Sequence, residues 1–233
     1  MGGRAPGTLR SGWGSNGAAG DSAPDERGLS RSLIIHCQRE RVLDAVASLS
    51  AAKGYSSLSL EHIVAQAGVS LSVFYEHFAG KEDAFLVAHE VGQTKARAIA
   101  ERASAEAPDW PSGVRAGIAA LLAFLESEPA FARVALVEAL IATARSARRA
   151  NLAISSFAQM LAPALEQARN GSGYSTVTTE AIAGGIFELC LTYAVRDRIG
   201  QLSELTPTAT YFALAPFIGR EPAGQVATQT AAD

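Results

Sequence analysis

From Ser32 onward the apolar positions fall at helical spacing. Val42, Val46 and Leu49 stand at i, i+4 and i+7, and Gly54 follows Lys53 where a helix would end in a left-handed residue. Ser59 precedes Leu60, Ile63 and Val64 as an N-cap would, and Gly68 closes that short segment. Ser70 opens the next, which carries Val73, Phe74 and Phe78 before a break at Ala79-Gly80. A longer helix is expected from Lys81 to about Ala107, ahead of Pro108. Asp109 predicts the cap of a helix whose Val114, Ile118, Leu121, Leu122 and Leu125 form one stripe. Glu128-Pro129 restarts the chain, and Phe131, Val134, Leu136 and Leu140 carry it on. Leu152, Phe157, Leu161 and Leu165 follow, with a break at Asn170-Gly171-Ser172-Gly173. Thr178 or Thr179 is expected to cap a helix through Ile182, Ile186, Leu189 and Tyr193, and Thr206-Pro207 to open a last one ending near Gly219. No alternating segment is long enough for a sheet, and no repeat recurs at about 20–50 residues. The expected fold class is all-α.

Composition bounds the picture without changing it. Apolar residues make up 48% of 233 and charged residues 18%, enough for a real core and too apolar for a wholly disordered chain. Residues 1–30 hold 8 of the 21 glycines, their charges cancel, and Trp13 stands alone among them. They are expected to form a disordered tail, as are residues 221–233. Residues 31–80 then make one domain and 81–220 a second, helical one. The longest uncharged stretch, Ala150 to Leu165, is 16 residues and contains polar side chains. That is short of the roughly 18–20 apolar residues a membrane span needs, so no membrane partner is expected. The first thirty residues hold no apolar run, which argues against a secretory signal. Cys37 and Cys190 are isolated, and the four histidines (36, 62, 77 and 89) have no metal-ligand spacing. A reducing cytoplasm fits, and no metal or cofactor is expected.

One constellation carries chemistry. Two short helices separated by Ala67-Gly68-Val69-Ser70 make a helix-turn-helix candidate. Such a motif needs a glycine at positive φ in the turn, and a second helix that buries one stripe and offers the other to a DNA major groove. The string from Gly68 through Phe74-Tyr75-Glu76-His77-Phe78-Ala79-Gly80-Lys81-Glu82, with Gln38-Arg39-Glu40-Arg41 and Lys53-Gly54-Tyr55 before it, resembles the DNA-binding domain of the TetR (tetracycline-repressor-like) family. The resemblance covers about residues 32–90. It implies a ligand-responsive regulator, a repressor acting as a homodimer on a double-stranded operator, with a small-molecule effector in the helical domain. Residue by residue it implies that Ser70 caps the recognition helix and touches a phosphate. Leu71, Ser72 and Val73 would face base edges, Tyr75, His77 and Lys81 would grip phosphates, and Ser59 would cap the preceding helix.

The same segment also departs from a basic DNA-binding surface. Residues 31–82 carry five Lys or Arg (31, 39, 41, 53 and 81) against five acids (40, 44, 61, 76 and 82). A neutral module cannot bind tightly by bulk charge, so affinity must come from geometry and dimerisation. Glu76 could accept from cytosine N4 and Leu71 could touch a thymine methyl. Arg27 and Arg31 would suit an arm in the minor groove. Arg145, Arg148 and Arg149 read as a solvated face. Serine-hydrolase and Cys-His signatures are absent, so no catalytic residue is expected. The alternatives are an activator or corepressor-dependent regulator of the same fold, and a helical small-molecule-binding protein or enzyme that has lost DNA binding. The stripe from Ile182 to Tyr193, with the small residues Ala181 and Gly185, is expected to meet another subunit. Ile186, Leu189, Phe212 and Ala215 would join that interface. Trp110, Phe124, Phe131 and Phe157 are candidates for contact with an effector, although each is expected more often in a core.

Overall fold

Helices form where the apolar spacing places them in the computed structural model, which describes residues 26–163 and 176–229. No strand occurs among those residues. The chain divides into two compact units, one through His36 and one from Cys37 on. Helix α1 runs Glu26–Lys53, α2 Leu60–Ala67, α3 Leu71–His77, α4 Lys81–Ala105 and α5 Trp110–Ser127. A short α6, Pro129–Arg133, passes through a π-helical turn, Val134–Glu138, into α7, Ala139–Ile141. Then come α8, Ala144–Ala158, α9, Thr176–Val195, α10, Thr206–Ile218, and α11, Arg220–Thr228. No helix of the described residues is long and apolar enough to cross a membrane.

The caps do what their chemistry requires. Ser59 accepts from the His62 N–H, Ser70 from Val73 and Asp109 from Ser112. Each satisfies one of the orphan donors of a first helical turn, typically worth about 1 kcal/mol. Gly68 sits at φ 62°, ψ 41°, where a side chain would be strained, so the angle between α2 and α3 depends on it.

Several expectations are corrected. α1 begins at Glu26, so residues 26–30 are helical rather than part of a tail; residues 1–25, with Trp13, lie outside the described residues. The expected C-terminal tail holds α11, which docks through Ala223 and Ala227, 0% and 3% exposed. Neither Thr178 nor Thr179 is a cap, because α9 is already helical at Thr176 and the Thr179 hydroxyl donates back to the Thr176 carbonyl. Leu165 and residues 170–173 lie outside the described residues.

Two apolar clusters hold the second unit together. Val42, Val46, Ile63, Phe74, Phe78 and Phe85 form the core of the head built by α1–α3 and the start of α4. Burying one such side chain fully is worth about 1.5–3 kcal/mol. The other cluster joins α5, α9, α10 and α11 through Val114, Leu122, Ile182, Leu214 and Ala223. Val134, from the π-helical turn, belongs to the head's cluster although it lies in the helical domain.

Candidate nucleic-acid interface

Helix α3 buries one side and exposes the other. Phe74 and Phe78 are 0% and 2% exposed, whereas Leu71 and Tyr75 are 46% and 53% exposed. Ser72 and Glu76 are exposed beside them and Val73 is half-buried. The stripe Leu71, Ser72, Tyr75, Glu76 is therefore the outward face of this helix. Glu61, at the first turn of α2, has its carboxyl held below the usual range by its own backbone N–H and then by the Ser59 hydroxyl. It complements that helix N-terminus.

Two expected phosphate ligands are placed elsewhere. The Lys81 ammonium donates to the carbonyls of Tyr55 (3.3 Å) and Leu58 (2.8 Å) and lies 4.4 Å from the centre of the Tyr55 ring. Its charge clamps the loop before α2 to the start of α4. Lys81→Ala should therefore cost stability, about 1–2 kcal/mol in a thermal melt, and leave the salt dependence of DNA binding unchanged. His77 is half-buried. Its Nε2 is enclosed and has no hydrogen-bond partner, so that nitrogen is closed to a phosphate. Arg41 carries no signal in the sequence that marks it as a candidate. It is exposed, and its guanidinium lies 3.7 Å from where a Cβ on Gly68 would stand, beside the turn. Only the fold brings the two together.

In the helical domain α4, α5, the 129–141 segment, α8, α9 and α10 line a partly open cavity of about 100 Å³. Phe131 and Phe157 line it; Trp110 and Phe124 do not, Trp110 packing against the apolar cluster and Phe124 facing an outer cleft. Cys190, also in the lining, is buried, and desolvation pushes its thiol up to about 12. Arg145 is exposed, as on a solvated face, and reaches Glu82 of α4 at 3.7 Å, while Arg149 is half-buried and pairs with Glu90 of α4 at 2.7 Å. Arg148 is exposed.

Behind the cavity lies His89, 1% exposed, whose Nε2 accepts from the Gln93 amide nitrogen at 3.4 Å. Burial, and then the Arg149 charge, push its pKa down from 6.5 to about 4. The folded chain thus holds His89 neutral where the unfolded chain would be protonated. Stability is complete above pH 6.5 and declines as pH falls toward about 4, where the folded state takes up its own proton. In His89→Leu, acid titration of stability should lose this part of its slope.

The segment 129–141 touches both regions. Phe131, Ala135 and Leu136 line the cavity, while Val134 is buried in the head. Glu138, 6% exposed, accepts from the backbone N–H of Tyr55 at 2.8 Å. Its carboxylate comes within 3.7 Å of where a Cβ on Gly54 would stand, and Gly54 has φ +78°.

The residues expected at a subunit interface divide. Ala181 and Phe212 are exposed. Ile186 lines the cavity and Leu189 packs against the chain's own core, so both are used internally. Ala215 is half-buried and packs there too. Gly185 is small because of Phe212 of the same chain, whose ring comes within 2.7 Å of the position a Cβ would take. Its neighbour Gly184 has open space around it.

A family model described as bacterial regulatory proteins, tetR family, matches residues 42–88. Among solved structures the chain is similar to the fatty acid degradation regulator FadR from Bacillus halodurans (TM-score 0.66, 18% identity, 78% of this chain and 97% of that one). It is similar also to the transcriptional regulator FadR from Bacillus subtilis in complex with stearoyl-CoA (0.67, 18%, 76% and 98%). A third is SmeT, the repressor of the Stenotrophomonas maltophilia multidrug efflux pump SmeDEF (0.62, 20%, 77% and 89%). No curated protein matches the chain.

Proposed function

We infer from the match over residues 42–88 that the chain is a member of the tetR family of bacterial regulatory proteins. On that premise we propose that it is a ligand-responsive transcriptional repressor, released from a near-palindromic operator when a small molecule occupies the helical domain. The observation that carries this reading is a shared wall. Phe131, Ala135 and Leu136 face the cavity, while Val134 and Glu138 of the same short segment are seated in or on the DNA-binding head. An occupant that prefers a shifted wall lowers operator affinity by the difference between its affinities for the two arrangements. The solved relatives support it in part: one was determined with stearoyl-CoA and another is a repressor.

Leu71, Ser72, Val73 and Glu76 read bases, and Ser70, Tyr75 and Arg41 hold the backbone. Because residues 31–82 are neutral, one head binds weakly and a homodimer supplies the rest, its two α3 helices about 34–36 Å apart. Val177, Ala181, Tyr211 and Phe212, all exposed on α9 and α10, form the pairing face. Selection of bound duplexes from a random pool by the full chain tests this. Enriched half-sites spaced about one helical turn apart support it, and recovery without any enriched sequence overturns it. In the same assay Glu76→Gln should change the preferred base at one position per half-site and raise non-specific affinity, because a carboxylate repelled by phosphate is removed. An unchanged preference would place Glu76 outside the groove.

A further inference from the structure

The cavity's lining identifies the chemistry of its occupant. Among the described residues that line it there is no Asp, Glu, Lys, Arg or His. The surface is aliphatic and aromatic, with Ile118, Phe131, Ile154 and Phe157 among its larger members, softened by Met160 and a protonated Cys190. A charge placed there would lose its hydration and meet no counter-charge, a cost that confines ionic groups to solvent. One strong hydrogen-bonding side chain reaches the lining, the amide of Gln93. One N–H of that amide is given to His89, which leaves its carbonyl oxygen and a second N–H unspent. His89 fixes the amide from behind.

Size follows from the volume. A water needs roughly 10–15 Å³ of such space, so about 100 Å³ accommodates on the order of seven to ten water-sized units, or a molecule with about that many non-hydrogen atoms. We infer that the effector, or the part of it that enters the cavity, is an uncharged aliphatic or aromatic group of about eight to ten non-hydrogen atoms, bearing one hydroxyl or carbonyl that hydrogen-bonds Gln93. This deepens the regulatory reading and rests on it only in naming the occupant an effector.

Three probes of one length separate the possibilities: 1-octanol, octanoate and octylammonium, titrated calorimetrically into the full-length protein near neutral pH. Octanol should bind at least about tenfold more tightly than either ion, because neither ion finds a partner inside. Gln93→Leu, which keeps the bulk and removes the amide, should weaken octanol roughly two- to tenfold and leave the ions unaffected. Ala153→Phe, which fills the cavity from α8, should remove octanol binding while preserving the helical circular dichroism. Equal or tighter binding of an ion overturns the inference, as does octanol binding that neither variant alters, or no binding by any probe. Operator release is scored separately. Octanol bound through Gln93 without release would sustain the ligand class and sink the regulatory reading, whereas release by octanoate alone would do the reverse.

Discussion

Gly92→Ala is expected to abolish binding of a neutral octyl probe, a loss of more than about a hundredfold, in a protein that still folds. The Phe131 ring packs against Gly92 of α4, and a single added methyl would fall inside contact distance of three of its ring carbons. Backbone on one side and ring on the other leave only the ring free to give. It has two directions. Outward lies a cleft bordered by Glu40, Asp44 and Glu128; inward lies the cavity, among Leu125 and Ala135. Apolar surroundings favour the inward move, which puts the ring where the ligand would be. The strain should also cost about 1–3 kcal/mol, visible as a lower Tm. Titration calorimetry and a melt measure both. Unchanged octanol affinity, with a Tm like that of the parent, would mean the ring yields outward and the cavity is larger than its walls suggest.

What could be read from the sequence was what the chain does locally. The helix-turn-helix was legible because its determinants lie within a few residues of one another. Ser59 and Ser70 cap helices three residues ahead, Gly68 reverses the chain, and Phe74 and Phe78 bury one face. Polarity contrast marked most of the other helices. It failed at α11, whose buried residues are alanines, too small to stand out among Gly, Pro and Thr. It failed differently at Lys81. A lysine opening a helix after a recognition helix reads as a phosphate ligand, yet its ammonium meets two carbonyls on a loop 23 and 26 residues upstream. Ile186 and Leu189 show the same limit from the other side. An apolar stripe says that a face is covered, not whether its own chain or a partner covers it. The contacts that join cavity to head, Phe131 on Gly92 and Glu138 on Tyr55, involve residues too distant in sequence for any spacing rule to reach.

The last of these contacts makes the second large prediction. Glu138→Ala is expected to lower operator affinity by about ten- to a hundredfold without touching a residue that faces DNA. The carboxylate is buried and accepts from the Tyr55 N–H, 83 residues away, at the loop that Lys81 clamps from the α4 side. Removing it leaves that donor enclosed with no partner, at a cost of about 1–3 kcal/mol, which the head can relieve by tilting its loop toward water. In the proposed dimer a tilted head would misplace α3 relative to its mate on the operator, and a dimer that depends on spacing rather than charge would have little to compensate with. Glu138→Gln keeps an acceptor oxygen in place and should restore most of the affinity, so geometry rather than charge is being tested. Hydrogen exchange at the Tyr55 amide reports the contact itself: protection should be lost in the alanine variant and kept in the glutamine one. Octanol affinity measured without DNA should stay near that of the parent in both, because Glu138 does not line the cavity. If Glu138→Ala binds operator as the parent does while the Tyr55 amide exchanges freely, then this bond fastens the head without positioning it. Communication with the cavity would then run through Phe131 and α4 alone.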